Sequence, residues 1–470
     1  MRAGILIKKP ESVFCNGCIQ QSFFIQKLLK NCGIECDLMS IENDFVNFEV
    51  VNQEVVSVKN IKTFLEYDVV LMISLTLQPS DENQKQILEF LKTNNVKIVD
   101  VICGNLFTLL QEEFVFDVHH IIKNYVNEYV NEYWILEMYD YMKDFIKILT
   151  KKPVYTLSYV WDNDIITKYI DKISTELETN KIICENNNNK INIIIYEPNM
   201  SIHKNSLIPL LIAETYYTKY KCVNKVYIFN GTKIKENNYS FLSTLNIMKD
   251  NKLETHGRII MPDTLNIIQK NNNFKNVVLS YTHLNNLNFL HLELFTMGYP
   301  IVHNCQPFQD NELYYTDFDF QNAVECIEKA RIHHTSSYIK TITKRCLEAF
   351  SSANVYRQMN WNTNLHRLCD INIEDKQKCI PIKRFYNGEG VIIVDDCIDE
   401  IITIIKHFNF SYELTNEIDT TKSRFKSGIY VFKRDIISQE SYILDNIYKK
   451  QCYDYHDVFH NIVYNKFIND

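Results

Sequence analysis

The stretch Val277 to Asn304, VVLSYTHLNNLNFLHLELFTMGYPIVHN, does most to restrict the fold. Val277, Val278 and Leu279 form a short apolar run, and a polar turn from Ser280 to Asn286 ends it. Leu287, Leu290, Leu294 and Met297 then recur at helical spacing. Gly298 and Pro300 close that helix, because glycine accepts the left-handed C′ conformation and proline cannot continue the helix. Ile301 and Val302 open a second strand, followed at once by His303 and Asn304. A strand–helix–strand unit of this kind belongs to a parallel sheet, whose ligands gather beyond the carboxyl ends of the strands. The Ser280 loop and the pair His303 and Asn304 fall at two such ends.

The same alternation runs through most of the chain. Ala3 to Ile7, Asp68 to Ser74 and Val96 to Val101 read as buried parallel strands, with helices expected over Ile19 to Lys30 and Asp81 to Lys92. Glu112 to Thr150 reads as more helical and aromatic, and Pro153 to Val160 as a further strand. Four asparagines, Asn186 to Asn189, favour neither helix nor strand and read as a linker. Beyond them the pattern restarts with strands at Ile191 to Tyr196 and Lys225 to Phe229 and a helix from about Asn205 to Lys219. Ala353 to Leu368 reads as a helix able to pack back across the boundary. The expected organisation is an α/β chain of two Rossmann-like domains facing a cleft, residues 1–185 and 190–370. A small appended α/β unit follows over 376–470, with strands at Val391 to Val394, Phe410 to Leu414 and Gly428 to Lys433 and a helix at Asp396 to His407.

Composition excludes some classes of function. A net charge of -8 argues against a general nucleic-acid binder, which needs a basic face. The first residues carry no apolar run of signal-peptide length, and no stretch of about 18 to 20 apolar residues is present, so a cytoplasmic protein is expected. The 14 cysteines are then expected to be reduced and mostly buried as small hydrophobes. Cys15 and Cys18 form a lone CxxC with no second pair of matching spacing, which disfavours a zinc or redox site. No GxGxxG follows a strand, so a nicotinamide dehydrogenase is not indicated.

The segment Ser280 to Asn304, continued by Tyr314, Tyr315 and Phe318 to Phe320, resembles the signature of a family assigned to glycosyltransferases of the GT-B fold, found mainly in bacterial polysaccharide clusters. The matching residues are Asn286 to Phe289, Glu293 and Gly298 to Asn304. Echoes in the same order include Asn16-Gly17 with Gln20, Gly104-Asn105, Val160-Trp161, Glu197-Pro198-Asn199, Pro209 to Glu214 and Gly257-Arg258. The resemblance covers roughly residues 1 to 370. Many retaining GT-B enzymes place two glutamates eight positions apart at the donor site; here the second is Glu293 and the first position is Asn285. Tyr281 stands where the family has a histidine.

The resemblance implies transfer of a sugar from a nucleotide-sugar donor, as a substrate and with no cofactor or obligatory metal, to a glycan, lipid or protein acceptor. Peripheral membrane contact is compatible with this, and no nucleic-acid partner is expected. Donor-side candidates are Lys204 and Arg258 against leaving-group charge, Glu293 against ribose hydroxyls, and Asn285, His303 and Asn304 at the strand ends. Asn285 and Asn288 also suit a plain turn-fixing role. Asn16, Gly17, Gln20 and Asn105 are the acceptor-side candidates, Gly17 permitting close backbone approach. An inverting enzyme needs a base, for which His119, His120 and Asp100 are the candidates. Two other classes stay open: a GT-B-like sugar-nucleotide epimerase, which needs no acceptor, and a non-catalytic binding protein with a degenerate cleft.

Overall fold

The computed structural model describes residues 1–8, 13–14, 17–42, 55–74, 76–174, 189–259, 263–264, 267–268, 274–285, 287–309, 311–333, 341, 344, 347–370, 384–386, 389–394, 412–414 and 429–433. The expected helix at 396–407, most of the asparagine run, and Cys15, Asn16 and Asn286 lie outside these residues. The chain divides into two compact units, Met1–Cys369 and Asp370–Asp470. It is a mixed α/β protein built on parallel sheets.

The first unit holds two sheets. The first has seven parallel strands: β1 (Arg2–Leu6), β2 (Glu35–Ser40), β3 (Val55–Ser57), β4 (Val69–Ile73), β5 (Lys97–Ile102), β6 (Glu132–Leu136) and β7 (Val154–Leu157). Their order is β3-β2-β1-β4-β5-β6-β7. Ile5 pairs with Leu38 on one side and Leu71 on the other. β4, VVLMI, is buried along its whole length, as a strand covered on both faces must be. The strand order reverses between β1 and β4, which opens a crevice beyond their carboxyl ends.

The second sheet has five parallel strands: β8 (Ile191–Ile195), β9 (Val223–Ile228), β10 (Leu253–Thr255), β11 (Lys275–Leu279) and β12 (Ile301–Val302). Their order is β10-β9-β8-β11-β12, and the reversal falls between β8 and β11. Ile193 is flanked by Val226 and Val277. The second unit carries a separate sheet, β13 (Arg384–Tyr386), β14 (Glu389–Val394), β15 (Tyr412–Leu414) and β16 (Ile429–Lys433), in the order β13-β14-β16-β15. Its β13–β14 pair is antiparallel and the rest parallel.

Six helices matter for the site: α1 (Gly17–Asn31), α2 (Glu82–Thr93), α3 (Leu106–Phe116), α4 (Leu207–Tyr220), α5 (Phe289–Thr296) and α6 (Val355–Leu368). α2 begins as expected at Asp81, whose side chain accepts from Gln84 N. Gly298, at φ 80°, supplies the left-handed stop after α5, and the chain re-enters the sheet through Tyr299 N to Leu294 O at 3.0 Å. α6 returns to the first sheet: Trp361 Nε1 donates to Ser158 O at 2.9 Å, and its ring meets Trp134 edge-on. Among the described residues no helix is long and apolar enough to cross a membrane.

One element departs from the helical reading of 112–150. Glu132 to Leu136 is a fully buried central strand, β6. Its Glu132 carboxylate takes a bidentate pair from Arg367 on α6, at 2.6 and 2.7 Å, and the Trp134 indole N–H at 3.0 Å. A buried acid in a strand is tolerated only with such partners, and this one lies far along the chain.

Candidate functional site

The crevice at β8 and β11 is lined by residues that leave those strands. Glu197, two residues beyond β8, is fully buried. Its Oε1 accepts from Ser280 Oγ at 2.7 Å and Tyr281 N at 3.3 Å, both just past β11. Its Oε2 has no partner among the described residues. Burial pushes this carboxyl up to about 7, against the pull of Ser280, Lys204 and the Tyr281 N–H. His291 on α5 joins the group, with Nε2 3.1 Å from Ser280 Oγ. Because the serine proton points to Glu197, the ring is assigned as the Nε2–H tautomer. Burial holds His291 down at about 3, so it is neutral at ordinary pH.

Lys204 stands on the loop between β8 and α4, half-buried and shaped by a short bridge to Ser201. Burial lowers its pKa, while Glu197 and the Cys18 thiolate oppose that fall. A cation from the second sheet's loops is therefore held in the field of an acid on its own side and of a thiol on α1.

Glu293 is the second buried acid. Gln20 Nε2 on α1 donates to its Oε1 at 2.8 Å, leaving Oε2 outside that bond. Burial raises the Glu293 carboxyl to about 7, with Gln20 acting against the rise. Gly17, the first residue of α1, lies under Phe289: a Cβ there would sit 2.7 Å from the ring. The close approach that the glycine allows is thus made by a side chain of α5.

The 281–288 loop is tied to the first sheet. Asn105 caps α3 through Oδ1 to Thr108 N and donates through Nδ2 to Leu284 O at 2.7 Å. Tyr141 donates to the same carbonyl at 2.8 Å, and Tyr139 donates to Asn285 Oδ1 at 2.6 Å. Asn285 Nδ2 is buried with no partner among the described residues. Asn288 caps α5 by accepting from Leu290 N, the turn-fixing role. Asn304 gives its amide to the fold: Oδ1 accepts from Thr282 N at 2.9 Å, and Nδ2 donates to Thr282 O at 2.7 Å and Asp317 Oδ1 at 2.5 Å. His303 is fully buried between the rings of His291, Phe295, Phe308 and Tyr314, and its Nδ1 accepts from Cys305 N at 3.1 Å. Burial drives its pKa well down, so it carries no charge to a ligand.

The other candidates are spread out. His119 Nε2 meets Glu112 Oε2 at 2.7 Å. Glu112 Oε1 accepts from Ser201 Oγ at 2.6 Å and Ile202 N at 2.7 Å, so His119 is linked to the loop that carries Lys204. Burial raises the Glu112 carboxyl, but these donors and His119 together hold it below its ordinary value. His120 is exposed beside Asp117 at 3.6 Å. Asp100 is fully buried within β5. Arg258 is exposed on the segment after β10. Gln20 thus meets Glu293, Lys204 lies in the field of Glu197, and Asn105 bonds to Leu284 and Asn285 to Tyr139 at the loop after β11, while His120 and Arg258 face solvent and Asp100 lies inside the first sheet.

Glu197, Ser280 and His291 carry the crevice and were not singled out from the sequence as site residues. The signal was present for Glu197: it follows a buried strand and precedes Pro198, at a βα turn.

Two parallel sheets, each with a crevice at its strand reversal, define a chain whose architecture is met in glycosyltransferases of the GT-B fold. An alpha,alpha-trehalose-phosphate synthase (UDP-forming) from Burkholderia vietnamiensis shares it at a TM-score of 0.50 and 8% identity, over 78% of this chain and 98% of that one. A mutant of S. aureus TarM, in complex with Fondaparinux, alpha-GlcNAc-glycerol and UDP, matches at 0.49 and 10% identity, over 78% and 99%. An alpha-glucosyltransferase in complex with UDP and a 13-mer DNA containing a HMU base matches at 0.45 and 14%, over 79% and 99%. No curated protein matches the sequence. The chain belongs to the family described as Protein of unknown function (DUF2827), which matches residues 4–365.

Proposed function

We propose that this protein is a glycosyltransferase that moves a sugar from a nucleotide-sugar donor to a glycan, lipid or protein acceptor. The observation that carries the reading is the second-sheet crevice, where Lys204 lies in the field of Glu197 and the α1 amide of Gln20 meets Glu293. A donor needs its diphosphate neutralised and its ribose held. Lys204 is the cation placed to offset the charge that builds on the leaving diphosphate, with no metal ion assigned to that task. An anion there also restores the charged form that burial disfavours. Glu293 Oε2 is the acceptor for ribose hydroxyls, steadied through Oε1 by Gln20.

Residues 1–185 supply the acceptor side in this reading and 190–370 the donor side, with closure between them excluding water. Gln20 and Asn105 then act as sensors of that closure, since both reach across to the donor side. If the reaction inverts, His119 is the best placed of the three base candidates, because Glu112 orients it and ties it to the Lys204 loop. The fold shared with a UDP-forming synthase supports a uridine nucleotide as the first donor to try. The test is a thermal-shift and calorimetry screen of nucleoside diphosphates, followed by turnover of the matching nucleotide sugars with and without acceptor. A stabilising nucleoside diphosphate and acceptor-dependent release support the reading. No nucleotide binding, or epimerised donor with no acceptor present, overturns it.

A further inference from the structure

The carboxyl ends of β1, β4 and β5 bring together two thiols that the sequence holds far apart. Cys18 stands in the first turn of α1, and its Sγ lies 3.5 Å from Ser74 Oγ. Ser74 follows β4 at φ 51° and is pinned by its own N–H to Val101 O at 3.0 Å. The same Ser74 hydroxyl oxygen accepts from Cys103 N at 3.2 Å, just past β5. The Cys103 thiol donates to Val101 O at 3.6 Å, so the Ser74 hydroxyl is the group that touches both cysteines. Both cysteines are reduced, and each residue is half-buried.

We propose that Cys18 and Cys103 form a hydroperoxide-sensitive dithiol, with Cys18 the attacking sulfur and Cys103 the resolving one. The assignment of roles follows from the surroundings. Cys18 sits at the N-terminus of a 15-residue helix, whose dipole favours an anion, and Lys204 adds a positive field. Chiefly the neighbouring Cys103, then Ser74 and Lys204, bring the Cys18 thiol down to about 7, against burial. Cys103 is pushed well up by the neighbouring Cys18 and by burial. Burial raises Cys32 and Cys326 to about 11 and Cys36 still further, which leaves them inert.

In the first step the Cys18 thiolate attacks one peroxide oxygen. An S–O bond forms, the O–O bond breaks, and the departing hydroxide takes a proton to become water. In the second step the Cys103 sulfur attacks the Cys18 sulfenic acid. An S–S bond forms, the S–O bond breaks, and hydroxide leaves as water with the proton of Cys103. Two thiols and one hydrogen peroxide give one disulfide and two waters, sulfur being oxidised and peroxide oxygen reduced.

The proposal does not depend on sugar transfer, and its test reads mass rather than activity. The full chain is titrated with hydrogen peroxide, blocked with N-ethylmaleimide, digested without reduction and mapped. The expected result is a Cys18–Cys103 cross-linked peptide that dithiothreitol reverses. Cys103→Ser should instead accumulate a dimedone adduct at Cys18, and Cys18→Ser should show neither product. Iodoacetamide at pH 7 should label Cys18 at least about tenfold faster than Cys32. A Cys18 cross-link to Cys15, equal labelling rates at Cys18 and Cys32, or both thiols still blocked by maleimide at peroxide levels that oxidise a free thiol would each overturn the proposal.

Discussion

Gln20 Nε2 donates to Glu293 Oε1 at 2.8 Å, and both side chains are buried. One residue belongs to the first helix of the seven-stranded sheet and the other to the helix that follows β11. The bond gives a partner to a carboxyl group that burial takes away from water. Gln20→Ala should therefore destabilise the chain by about 1–3 kcal/mol, the usual cost of orphaning a buried polar partner. It should also raise the Glu293 pKa further, since Gln20 is the group that restrains it. Urea denaturation and the pH dependence of the variant measure the two effects.

Glu293→Ala separates structure from binding. The truncation removes the acceptor assigned to ribose, so the thermal shift produced by the best nucleoside diphosphate should fall with at least about a tenfold loss of affinity, or about 1.4 kcal/mol. Lys204→Ala should lose more for a diphosphate than for the nucleoside alone. Equal losses for both ligands would remove Lys204 from the phosphate site.

Glu197 gives a pH signature. Its folded pKa of about 7 lies above the ordinary carboxylate value of 4.5, so the folded state holds the proton more tightly than the unfolded chain. That contribution is full below 4.5 and is lost as pH rises through 7. Glu197→Gln keeps the neutral shape and removes the titration. Relative to the parent, the variant should gain roughly 2 kcal/mol of stability between pH 5 and pH 8. The difference between the two profiles is the quantity to measure, because His203, lowered by burial to about 4, and His291 titrate in the opposite sense in both proteins. A difference that stays flat would show that Glu197 ionises normally.

Gly17→Ala tests the approach of α5 to α1. The new Cβ would meet Phe289 Cδ2 at 2.7 Å, well inside contact distance. Overpacking of this kind costs about 1–3 kcal/mol. Phe289→Leu in the same chain should recover part of the loss, and a Gly17→Ala chain as stable as the parent would show that the ring has room to move.

The alternation of strand and helix was legible because parallel strands read as apolar runs, and β4, β8 and β11 are such runs. β6 was not: Glu132 and two large aromatics hide a strand whose acid is answered by Arg367, 235 residues away. Glu293 and Gln20 could be picked as single residues from motif positions, but their bond could not. Nor could Glu197 with Ser280, or Cys18 with Cys103. The last two pairs meet because β8 neighbours β11 and because β4 and β5 follow β1 in the sheet, while Gln20 and Glu293 meet between helices of two different sheets, and neither kind of neighbourhood has a local signal.

Asn304 tests how far the strand-end pair serves the fold. Its Oδ1 accepts from Thr282 N, and its Nδ2 donates to Thr282 O and Asp317 Oδ1. Asn304→Asp keeps the acceptor and replaces the donor by an oxygen facing a carbonyl and a carboxylate. Both contacts become repulsive, so the substitution should cost about 1–3 kcal/mol at neutral pH. Lowering the pH toward about 4 should recover part of that loss, because a protonated acid can donate again. If nucleotide affinity, measured well below the unfolding temperature, changes less than about twofold, the residue acts through the loop and not on the ligand. A loss of affinity with stability unchanged would reverse that assignment and place the Asn304 amide on the donor.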